Sequence, residues 1–96
     1  MVVGVLQVEL SIQWARSLKD KRGVVSSLKD RLHREHQVAV AEVNRLDNRQ
    51  VAVLGIAMVS NQARHCRQVL DQIVHKLKTL RDCVLSDHRV EVLTGY

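Results

Sequence analysis

Along residues 2–12, VVGVLQVELSI, apolar and polar positions alternate once past Gly4. Leu6, Val8, Leu10 and Ile12 fall on one face, and Val3, Val5, Gln7, Glu9 and Ser11 on the other. A period of two sends successive side chains to opposite sides of an extended chain, so the pattern predicts a strand with one strongly buried face. The period then lengthens. Leu18, Val24, Val25, Leu28 and Leu32 recur at helical spacing, which predicts a first helix over about residues 18–35. Ser17 is placed to cap it, with Asp20 three residues on as a shortened capping box.

A second strand is expected at about residues 37–44, QVAVAEVN, and a turn in RLDNR around Asp47-Asn48, where side-chain hydrogen bonding supports reversal. The next run, about 50–59 (QVAVLGIAMV), is apolar on both faces and reads as a central strand. A second helix follows, with Ser60 or Asn61 as the expected cap and Ala63, Cys66, Leu70, Ile73, Val74 and Leu77 as its buried stripe. It is expected to end near Arg81-Asp82, before a last strand at about 83–93, CVLSDHRVEVL.

The order βαββαβ predicts an α+β, ferredoxin-like sandwich: one domain over residues 1–96, a four-stranded antiparallel sheet with two helices on one face. The second and last strands are expected at the edges. The first and third are expected side by side in the centre and running parallel, so that their C-terminal ends meet.

Composition changes this picture little. The chain has 96 residues, is 46% hydrophobic without Phe or Pro, and holds four Gly, which suits one aliphatic core and little disorder. Two widely spaced cysteines, Cys66 and Cys83, form neither a disulfide framework nor a zinc pattern. Gln7 and Glu9 interrupt the N-terminal apolar run, which excludes a membrane span there and makes a cytoplasmic protein the expectation.

Charge matters more. The net charge is +5, and ten of the fifteen cations are Arg, a balance that favours polyanionic partners, nucleic acid first. The segment SLKDKRG at residues 17–23 sets Lys19, Lys21 and Arg22 where a helix begins. Helix N-termini are themselves positive, so cations there either lean into water or await an anion. With parallel central strands, Arg16, Ser17 and Lys19 would converge with Ser60, Asn61 and Arg64 into an anion site built on two helix N-termini. Lys19, Arg22, Ser26, Lys29 and His33 also form one basic stripe along the first helix, able to track the phosphates of an RNA backbone. In the alternative, Ser17, Ser60 and Asn61 simply cap helices while Lys19, Lys21 and Arg22 are solvated.

The open sheet face lacks the aromatic platform of RNA-recognition motifs. Its Val3 and Val5, with aliphatics from the third strand, favour a covered face and a homodimer. Catalytic groups are sparse: Ser60 and His65 lack a third, orienting residue, and the glycine-rich phosphate loop of acylphosphatases is absent. His33 and His36 lie three apart beside Glu35, a weak metal pattern better read as surface histidine. Trp14 either stacks on a base beside the basic edge or seals the core beneath its loop. No cofactor, metal or catalytic residue is expected.

The segments VGVLQVELSI, ARSLKDKRGVVSSLKDRL, VAVAEV and AVLGIAMVSNQARH resemble the YlxP-like family of small bacterial proteins, a domain family of unassigned function. The resemblance covers most of the chain and implies a ferredoxin-like fold. RLDNRQ departs from the DxWQ-like turn of that family. Members tend to be encoded near translation factors and a ribosome-maturation factor, so the resemblance implies an RNA- or ribosome-associated role. It implies no catalytic residue, and its motif positions Ser17, Leu18, Lys19, Lys21, Arg22, Ser60 and Asn61 carry no assigned role.

Overall fold

In the computed structural model, which describes all of residues 1–96, the alternating N-terminal segment is strand β1 (Val2–Ser11). Helix α1 (Leu18–His36), strands β2 (Ala39–Asn44) and β3 (Val51–Ser60), helix α2 (Ala63–Lys78) and strand β4 (Val84–Leu93) follow. The strands form one sheet in the order β2-β3-β1-β4, and every neighbouring pair is antiparallel. Two helices packed on one face of that sheet make the ferredoxin-like α+β sandwich expected from the pattern.

The direction of the central pair corrects the parallel arrangement expected above. Val2 lies opposite Ser60 and Ser11 opposite Val51. The reason is topological: α1 carries the chain back, so β2 runs with β1, and the turn after β2 reverses it again before β3. The N-termini of α1 and α2 therefore sit at opposite ends of the sheet, separated by the length of a ten-residue strand, about 30 Å.

One face of β1 (Leu6, Val8, Leu10) and of β3 (Ala52, Leu54, Ile56, Met58) is buried under Val25, Leu28 and Leu32 of α1 and Cys66, Leu70, Ile73 and Leu77 of α2. The fit of α2 depends on Gly4. A Cβ there would lie 2.1 Å from Cys66 Sγ and 3.0 Å from Leu70 Cδ1, so only glycine lets the helix lie this close. Both cysteines are buried, free thiols, and burial pushes each thiol pKa up, with Asp82 adding to the shift at Cys83 and Arg67 opposing it at Cys66.

Helix α1 is capped as its sequence predicts. The Asp20 N–H donates to Ser17 Oγ at 3.1 Å, and Asp20 Oδ2 accepts from the Arg16 N–H at 3.0 Å. The helix ends at Gln37, in the left-handed region at φ 55°, whose N–H donates to the His33 carbonyl. This cap delays β2 to Ala39. For α2 the expected caps are corrected: its N-cap is Gln62, without a side-chain cap bond, and Ser60 Oγ instead accepts from the Gln62 N–H at 3.1 Å.

Candidate nucleic-acid interface

Four positions of the stripe read from the sequence come together. Arg22, Ser26, Lys29 and His33 project from one side of α1 and, with Val25, Asp30 and Ala39, Val40 and Glu42 of β2, line an open groove of about 700 Å³. The groove exists because β2 is an edge strand and α1 lies along it, leaving their outer flank uncovered. Arg22 and Lys29 are exposed, and neither has a carboxylate within 4.0 Å. Asp30 is bound by Arg34 at 2.7 Å and Glu42 by Lys21. Both groove acids thus have partners while two groove cations have none. His33 donates Nδ1–H to the Val38 carbonyl at 3.0 Å, which sets its tautomer and ring.

Lys19 lies outside this groove. It lines a neighbouring hollow with Trp14, Asp20, Gly23, Val24, Ser27 and Asp82. Trp14 does not seal the core: its side chain is on the surface, 52% exposed, and the indole N–H donates to the Asp82 carbonyl at 2.6 Å. That bond ties the loop after β1 to the loop before β4 and leaves the ring beside Lys19.

The two-helix anion site does not form. Arg16, Ser17 and Lys19 belong to the end of the sheet where β1 finishes, and Ser60, Asn61 and Arg64 to the end where β1 starts. Antiparallel central strands make their convergence impossible.

Lys21 is the residue that reasoning from sequence missed. Set aside with Lys19 and Arg22 as a solvated cation, it is fully buried. Its ammonium donates to the carbonyls of Arg45 (3.0 Å), Leu46 (3.2 Å) and Val51 (3.3 Å) and lies 2.8 Å from Glu42 Oε2. Oε2 is itself buried and makes no directional hydrogen bond, so the ammonium charge is what compensates it. The lysine therefore clamps the β2–β3 turn to α1. A signal was available: Leu18, Lys21, Val25, Leu28 and Leu32 follow steps of three, four, three and four, which puts Lys21 on the buried stripe.

At the other end of α1, Lys76 of α2 pairs with Glu35 and lies 2.9 Å from His36 Nε2. His36 is held below its ordinary pKa by burial first and the Lys76 charge second, against an opposing pull from Glu35. No group of three or more His, Cys, Asp or Glu comes together that could hold a metal, and no helix is long and apolar enough to cross a membrane.

These features define a ferredoxin-like α+β domain with an exposed cationic helix face and an internal lysine clamp. More particularly, the chain belongs to the family described as Protein of unknown function (DUF503), whose model matches residues 3–90. The matched span takes in everything from β1 to late β4. No curated protein matches the chain.

Proposed function

We propose that this domain is a non-enzymatic RNA-binding module of the cytoplasm, associated with ribosomes or their RNA, that grips phosphates with Arg22 and Lys29 of α1. The observation that carries the reading is the pair of unpaired, exposed cations on one groove whose acids are both already partnered. Ser26 and His33 add polar groups to the same groove, and Lys19 extends the cationic face towards Trp14. A half-exposed indole beside a lysine suits stacking of an unpaired base, which favours single-stranded RNA. The resemblance to YlxP-like proteins points the same way through its link to translation.

Trp14 is the only tryptophan, so its fluorescence reports binding directly. The test is titration with single-stranded RNA and ribosomal subunits across a salt series, using two doubly reversed variants of equal net charge. One is Arg22→Glu with Lys29→Glu; the other is Arg64→Glu with Arg67→Glu on α2. Loss of binding in the first alone supports the reading. Equal loss in both reduces the interaction to net charge and sinks it.

A further inference from the structure

The sheet face turned away from the helices is a surface of a different kind. Cross-strand register aligns its outward residues in rows: Leu93–Val3–Val59, then Glu91–Val5–Ala57–Ala39, then Arg89–Gln7–Gly55–Ala41. Residues 39, 41 and 57 are Ala and residue 55 is Gly, so small side chains keep the β2–β3 side low, a shallow trough by residue size that Val43 covers only at Gly55. Val59, 66% exposed, and Val43, 50% exposed, stand above it. Val43 leans over Gly55, where a Cβ would come within 2.9 Å of its Cγ1.

We propose that this face is the interface of a homodimer, with a second copy of the chain seated on it. Three observations favour a second copy over another occupant. The first is shape: a trough and a valine ridge side by side on one surface are self-complementary under a two-fold axis, each copy's Val59 entering the other's trough. The second is charge. In a protein of net charge +5, the sheet face carries Glu9, Asp87 and Glu91 against only Arg45 and Arg89, with Glu9 and Arg45 4.0 Å apart. Two copies meet there through a face on which acids outnumber cations, unlike the chain as a whole, so the excess positive charge stays outside the interface. The third is area. Strands about 4.8 Å apart and about 3.3 Å per residue give a four-stranded face of roughly 500–600 Å² per copy. A pair then buries ~1,000–1,200 Å², the size of a weak, reversible interface.

The dimer leaves Arg22, Ser26, Lys29 and His33 of both grooves on its outer layers and meets each groove only at Ala39 on its rim, so charge reversal on α1 tests RNA binding apart from dimerisation. Sedimentation velocity from about 1 to 200 µM tests it, a range that resolves weak, reversible association. The expected result is a concentration-dependent shift from 10.9 kDa to twice that mass. Ala57→Arg in the trough and Val59→Asp on the ridge, both at exposed positions, are each expected to raise the dissociation constant at least ~10-fold while circular dichroism stays native. A mixed sample with one methyl-labelled and one unlabelled copy is expected to show Val59 contacts to Ala39 or Ala41 across the interface. A monomer throughout the range overturns the proposal, as does a dimer indifferent to both variants or lacking those contacts. A wild-type chain that stays monomeric until another protein occupies this face overturns it equally.

Discussion

The ammonium of Lys21 and the carboxylate of Glu42 lie 2.8 Å apart beneath the β2–β3 turn, with the lysine side chain fully buried. Three backbone carbonyls complete the ammonium's surroundings. Removing one partner of such a pair leaves an uncompensated buried charge, whereas removing both leaves only a packing problem. Lys21→Met is therefore expected to cost about 3–5 kcal/mol, measured by urea unfolding. Combining it with Glu42→Leu is expected to recover a large part of that loss. A double variant no more stable than Lys21→Met would show that the carbonyls, and not Glu42, are what the ammonium serves.

Gly4 and Cys66 form a second coupled pair, across the contact between β1 and α2. Gly4→Ala is expected to destabilise the protein by about 1–3 kcal/mol through overpacking. Cys66→Ala removes the sulfur that the new methyl group would strike, so the double variant should be more stable than the two single losses added together. A double-mutant cycle with no coupling would place the strain elsewhere. The same burial holds both thiols protonated and shielded, so a thiol reagent at neutral pH is expected to label Cys66 and Cys83 only at the rate of unfolding.

His36 and Glu35 give the stability a defined acid limb. His36 is held below its ordinary value of 6.5, mainly by burial and then by Lys76. The unfolded chain thus takes up this proton first. Its contribution is complete above pH 6.5 and falls away as the pH drops from there through the folded pKa. Glu35 is held below 4.5, chiefly by its hydrogen bond from Lys76, so its contribution is present above pH 4.5 and lost as the pH falls below that. Urea midpoints followed downward in pH should decline in these two windows. His36→Asn is expected to flatten the upper decline and leave the lower one; an unchanged upper limb would assign it to another histidine.

Salt dependence gives a quantitative check on the α1 face. If Lys19, Arg22 and Lys29 each neutralise one phosphate of a single strand, log affinity should fall with log salt at a slope of about −2. Lys29→Glu alone should reduce that slope by ~0.7, and Trp14→Ala should weaken binding without changing it. A slope unaffected by Lys29→Glu would remove the groove from the interface.

Local pattern determined most of the architecture. The period of two in β1, the helical spacing of α1 and α2, and the Ser17–Asp20 cap all depend on residues close in sequence, so the chain alone specified element order and core faces. The Arg22, Ser26, Lys29 and His33 stripe was legible for the same reason: spacing along one helix fixes its own face. What tertiary structure decided was anything that joined distant segments. Whether β3 runs with or against β1 is set by the hairpin after β2, and that direction dissolved the proposed meeting of Ser17 with Ser60. Lys21 shows the limit most clearly. Its place on the apolar stripe was visible in the sequence, but the carbonyls of residues 45, 46 and 51 and the carboxylate of Glu42 reach it only once the β2–β3 turn folds over α1. A buried charge is tolerated only where partners surround it, and those partners are chosen by the fold.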